Sequence, residues 1–124
     1  MTRIQRRRTK GWRKPPGAVS VTRPGPWGNP FTRAMAEDLG YLTDTTPEEE
    51  AARWLTLIFR DWLTRGPASA WWYADGEATW RRMRQDLPTL RGKTLVCWCP
   101  TTTRTGAPWP CHADVLAELA EETR

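Results

Sequence analysis

The run Thr94-Leu95-Val96-Cys97-Trp98-Cys99 constrains this chain more than any other stretch. It is the best strand in the sequence: the turn Arg91-Gly92-Lys93 delivers it and Pro100 closes it. A strand needs neighbours to satisfy its backbone. Ala18-Val19-Ser20-Val21-Thr22 alternates and is rich in β-branched residues, so it reads as a second, shorter strand. A third is placed near Ile4-Gln5. A long helical region separates the two clearer strands, and a final helix follows the last one. This order predicts an α/β fold, a small mostly parallel sheet flanked by helices.

The clearest helix starts at Thr46, where Thr46-Pro47-Glu48-Glu49 offers an N-cap hydroxyl, a proline at the first helical position and a capping-box carboxylate. Ala51, Leu55, Ile58 and Trp62 repeat at helical spacing, and Gly66-Pro67 ends the pattern. Shorter helices are expected over Ala34–Leu39, about Gly76–Asp86 and about Cys111–Glu122. Between the first strand and the first helix, Arg23-Pro24-Gly25-Pro26-Trp27-Gly28-Asn29-Pro30-Phe31 must be a loop.

With 124 residues the chain is one domain's worth of sequence. No apolar run approaches the ~20 residues that span a bilayer, and no apolar h-region follows the basic start. The expectation is a cytoplasmic protein with no membrane partner. Three cysteines cannot all pair, so a disulfide scaffold is not expected. Charge is uneven. Residues 1–36 hold nine basic residues and no acidic ones, whereas the rest holds ten basic and fourteen acidic residues. Residues 1–17 therefore read as a basic N-terminal arm on a single α/β domain over 18–124. Arg6, Arg7, Arg8, Lys10 and Arg13 are the candidate contacts to nucleic acid.

All three cysteines and the only histidine fall between residues 97 and 112. Three readings stand open. In the first, Cys97 and Cys99 project from one face of the strand and meet Cys111 and His112 at the next helix start. Thiolates and imidazole would then hold zinc. In the second, the helix start is a ligand or catalytic site. There Cys111 has a lowered thiol pKa, His112 acts as acid/base, Asp114 caps or orients, and free N–H groups receive phosphate. In the third, the cysteines are core packing. If the strands are parallel, the loop with Arg23, Trp27, Gly28 and Asn29 lies at the same sheet edge as Cys99–Cys111, where α/β folds bind ligands. No P-loop, G-x-G-x-x-G, H-E-x-x-H or G-x-S-x-G motif is present.

The opening Gln5-Arg6-Arg7-Arg8-Thr9-Lys10-Gly11-Trp12-Arg13, the loop Trp27-Gly28-Asn29-Pro30-Phe31, the strand from Gly92 to Cys99, and Cys111-His112-Ala113-Asp114-Val115-Leu116-Ala117 together resemble the family called domain of unknown function 4326, found in bacteriophages and high-GC bacteria. The resemblance implies an identity and carries no activity. Members usually have only a few residues between C-W-C and C-H, whereas here Thr101–Pro110 is inserted. The strand–Cys–loop–Cys-His–helix order also looks like a second α/β family with a C-H-R triad after a strand. Two functions follow as expectations. One is a phage-type accessory protein binding a phosphorylated ligand, a nucleotide or nucleic-acid end, at the Cys/His helix start. The other is a zinc-stabilised accessory protein without catalysis that binds nucleic acid or a host protein.

Overall fold

The computed structural model describes residues 3–23 and 25–122. Met1, Thr2, Thr123, Arg124 and, within the predicted loop, Pro24 lie outside the described residues. Three parallel strands form the sheet: β1 (Arg3–Gln5), β2 (Val19–Ser20) and β3 (Leu95–Cys97), in the order β1-β3-β2. The strongest strand of the sequence is thus the central one, with Leu95, Val96 and Cys97 each 1% exposed. Ile4 pairs with Val96 on one side and Ser20 with Val96 on the other. The two other predicted strand segments, near Ile4-Gln5 and within 18–22, both form, one on each side of β3. β1 also brings the start of the basic segment into the sheet.

Four helices cover the sheet: α1 (Arg33–Asp38), α2 (Glu48–Arg65), α3 (Glu77–Asp86) and α4 (His112–Glu122). Each lies within a residue or two of its sequence prediction. Ile58, Phe59, Trp62 and Leu63 of α2 pack with Val115, Leu116 and Leu119 of α4 in one core, and Arg60 pairs with Glu118 across the two helices. Buried Trp62 meets Phe31 edge-on at 5.7 Å and stacks on Tyr73 at 6.3 Å. No helix of the described residues is long and apolar enough to cross a membrane.

The start of α2 differs from its sequence prediction. Pro47 occupies the N-cap without a side-chain cap bond. The Thr46 hydroxyl instead accepts the Thr43 N–H at 3.0 Å. The helix compensates with Glu48, Glu49 and Glu50 in its first turn, where carboxylates favour the exposed N–H dipoles. Arg33 braces the approach, donating to Glu37 (2.9 Å), Thr43 O (3.0 Å) and Thr46 O (2.7 Å). In contrast, α1 is capped by the Thr32 hydroxyl, which accepts Met35 N–H at 3.1 Å.

At the other end of α2, Gly66 sits at φ 56°, and a Cβ there would meet the Trp80 ring at 2.5 Å. The Trp80 indole donates to Leu63 O at 3.0 Å, so the ring cannot easily withdraw. Gly66→Ala combines a disfavoured φ with a clash and should lower unfolding free energy by more than about 1 kcal/mol. Urea denaturation beside the wild type measures it, with Gly92→Ala as the control at positive φ in open space.

Candidate metal centre

Parallel pairing puts the carboxyl ends of all three strands at one edge. β3 ends at Cys97, the chain bends through Trp98 and Cys99, and α4 begins just after Cys111. The three sulfurs consequently converge: Cys97, Cys99 and Cys111 Sγ all lie within 4.8 Å of one another. Cys97 and Cys111 are buried and Cys99 is partly buried, and all three are free thiols. The Cys111 thiol donates to Cys97 Sγ at 3.4 Å, and Ala113 N–H donates to Cys111 Sγ at 3.4 Å. The intervening segment stays outside this cluster. Thr102 and Pro108 form an antiparallel bridge, with Thr103 N–H bonded to Ala107 O at 2.8 Å, so the insertion folds on itself.

A guanidinium lies against the sulfurs. Arg3 donates to Cys97 Sγ (3.6 Å), Cys99 O (3.5 Å), Pro100 O (2.8 Å), Trp109 O (3.0 Å) and Asp114 Oδ1 (3.2 Å). It therefore ties β1 to both ends of the Cys99–Cys111 segment and to α4. Burial works against its charge, but the Cys97 hydrogen bond and the charges of Cys111, Asp114 and Cys97 outweigh burial and raise its pKa. Sequence reasoning missed this role. Arg3 was one of nine basic residues in the opening stretch, and only its place next to Ile4-Gln5 signalled that it would enter the sheet.

The helix-start argument expects a lowered thiol pKa at Cys111, and the cluster works in the opposite direction there. Hydrogen bonds from Cys111 and Cys99, then the Arg3 guanidinium, hold the Cys97 thiol far below the usual thiol range despite burial. Cys111 is pushed up, first by its hydrogen bonds to Cys97 and Cys99 and then by burial. At Cys99 the Cys111 bond pulls downward, but Cys97 and burial prevail and the net shift is upward. Sulfurs this close cannot all carry charge without a cation between them.

His112 adjoins the cluster through Nδ1, 3.9 Å from Cys111 Sγ. Its Nε2 lies 2.8 Å from Val21 O, an acceptor only, so Nε2 carries the proton and Nδ1 presents its lone pair. Burial lowers the imidazole pKa, and the ring packs edge-on against Phe59 at 5.5 Å. The Val21 carbonyl therefore orients His112, while Asp114 turns to Arg3.

The loop residues are placed close by but engaged with the chain itself. Trp27 lies in the main core. Asn29 is 4% exposed: its Oδ1 accepts Phe31 N–H at 2.9 Å and its Nδ2 donates to Leu55 O at 3.4 Å. A Cβ at Gly28 would meet Arg23 Cγ at 2.7 Å, so this glycine permits close approach of the chain to itself. Arg6, Arg7, Arg8, Lys10 and Arg13 are exposed, on the surface beyond β1.

A family model described as Domain of unknown function (DUF4326) matches residues 4–122. No curated protein and no solved structure matches the chain.

Two substitutions separate these roles. Asn29→Ala should cost about 1–3 kcal/mol in denaturant unfolding, because it leaves the buried Phe31 N–H without its acceptor. Arg3→Leu should speed amide exchange across residues 95–111 by at least about tenfold, because several charge-assisted bonds are lost together. Hydrogen exchange read by mass spectrometry measures that effect.

Proposed function

The chain belongs to the DUF4326 family, and we propose that it is a zinc-stabilised nucleic-acid-binding protein. In this reading Cys97, Cys99 and Cys111 hold the metal and the basic segment from Arg6 holds the nucleic acid. The observation that carries the reading is the convergence of three sulfurs beside a guanidinium. Zinc–sulfur bonds of ~2.3 Å in a tetrahedron separate sulfurs by about 3.8 Å, a separation compatible with sulfurs that all lie within 4.8 Å of one another. Thiolates are soft donors suited to zinc, and one divalent cation would relieve the repulsion among thiolates packed this closely.

His112, whose Nδ1 lies 3.9 Å from Cys111 Sγ but outside the converged sulfur group, would have to turn inward to take the fourth position. Its Nδ1 carries the free lone pair, and its Nε2–H on Val21 O is the outer partner that metal-bound imidazoles generally keep. Arg3 then balances a centre of three thiolates and one dication with an N–H···S bond. Zinc would supply cross-linking here: β3, the bend after it and α4 would share one ion. This makes the centre structural, and the anionic partner is left to Arg6, Arg7, Arg8, Lys10 and Arg13. A phosphorylated ligand between the Trp27–Phe31 loop and α4 has weaker support. Asn29 is buried with its amide turned to Phe31 N–H and Leu55 O, and Ala113 N–H at the helix start is already bonded to Cys111 Sγ.

Metal analysis of untagged protein should find about one zinc per chain with all three thiols protected. Chelation should release the thiols together and lower Tm by roughly 10 °C. Cobalt in place of zinc should give a sulfur-to-metal charge-transfer band that drops by about a third in Cys111→Ser. Metal-free protein of unchanged Tm with a fast-reacting thiol would refute the centre. Binding to nucleic acid should weaken steeply with salt, and replacing Arg6, Arg7 and Arg8 by Gln should flatten that slope.

A further inference from the structure

Trp98 stands between two of the clustered cysteines, yet its side chain faces outward. It is 39% exposed, an unusual position for a tryptophan in a chain that buries most of its large apolar residues. The Arg8 guanidinium carbon lies 4.5 Å from its ring centroid and that of Arg6 lies 5.1 Å away. Around them opens a recess of ≈ 520 Å³ lined by Gln5, Arg6, Arg7, Arg8, Thr9 and Trp98. That lies within the roughly 300–1,000 Å³ of small-ligand sites. The lining holds three arginines and no carboxylate. None of the three forms an ion pair among the described residues, whereas Arg3, Arg33 and Arg60 each pair with an acidic group.

Arg6 also lines a second recess of ≈ 260 Å³, with Trp12, Lys14, Ser20 and Val96. Two cationic hollows, each with one tryptophan, therefore meet at a shared arginine. The backbone holds the first platform in place: Arg6 N–H donates to Cys97 O at 2.6 Å and Gln5 Nε2 to Trp98 O at 3.4 Å.

We propose that these two recesses bind single-stranded nucleic acid, stacking an unpaired base on Trp98 and the next on Trp12. This deepens the proposed function and rests on its nucleic-acid reading. Two guanidinium groups over one ring repel each other and are held there by the ring's negative face. An incoming base replaces one of them on the indole, and the displaced guanidinium meets the adjoining phosphate. Stacking of this kind needs a base free of its own neighbours, so a duplex gains only the phosphate contacts. Among the described residues, the segment that carries Arg6, Arg7 and Arg8 is neither a helix nor a two-stranded ribbon that could enter a major groove.

The test uses the full chain, with whatever metal it carries, and fluorescence anisotropy of a labelled mixed-sequence single strand and of its duplex at equal length. The single strand should bind at least about tenfold tighter than the duplex. Trp98→Leu should weaken the single strand about tenfold while leaving duplex affinity and Tm unchanged, and Trp98→Phe should restore much of the loss. Equal affinity for both forms, with Trp98→Leu silent, overturns stacking and leaves the nucleic-acid reading intact. No binding of either form at low salt, by folded protein, overturns both.

Discussion

The Arg3 guanidinium is the contact on which the carboxyl edge of the sheet depends. One planar group reaches a sulfur, three carbonyls and a carboxylate, and these belong to β3, to both ends of the inserted segment and to α4. The fixed fork of arginine suits such a task, since lysine presents a single point charge. Because Arg3 is itself paired in register with Leu95, its reach is set by the sheet. The cysteines converge where they do because β1, β3 and α4 are held in one geometry around it.

The negative sulfur cluster and the positive guanidinium also justify each other's burial. A thiolate at Cys97 in apolar surroundings would be costly alone, as would the half-buried Arg3 charge. Together they form a compact dipole, backed by Asp114 on the solvent side. Burial disfavours a charge on His112 beside it, where a backbone carbonyl and an aromatic edge hold the ring. The arrangement brings three sulfurs together, with the imidazole Nδ1 beside one of them, and leaves the arginines that follow β1 unneutralised on the surface.

Much of this architecture was legible in the residues. Leu95-Val96-Cys97 announced itself as a strand through its unbroken run of apolar residues, and the α2 stripe through its period. The confinement of Cys97, Cys99 and Cys111 to one short span also anticipated the convergence of their sulfurs. What stayed hidden depended on partners remote in sequence. Thr46 looks like a cap because the local pattern fits, but Thr43 competes for the same oxygen. Asn29 looks available because amides in Gly/Pro loops often are, yet its carbonyl closes a turn onto Phe31 and its amine reaches α2. Arg3 was invisible among its neighbours because nothing in a run of arginines distinguishes the one that will be buried.

The strand order carries a consequence for the birth of the chain. β1 and β2 both lie before residue 21, yet they do not pair with each other: each pairs with β3, 76 to 92 residues later. At synthesis rates of roughly 5–20 residues per second, the two early strands wait several seconds without a partner. During that interval the unpaired β1 is followed by a dense run of like charges, which repel other nascent chains and discourage edge-to-edge pairing. The same arginines that face solvent in the finished protein would thus act first as a shield for an unfinished sheet.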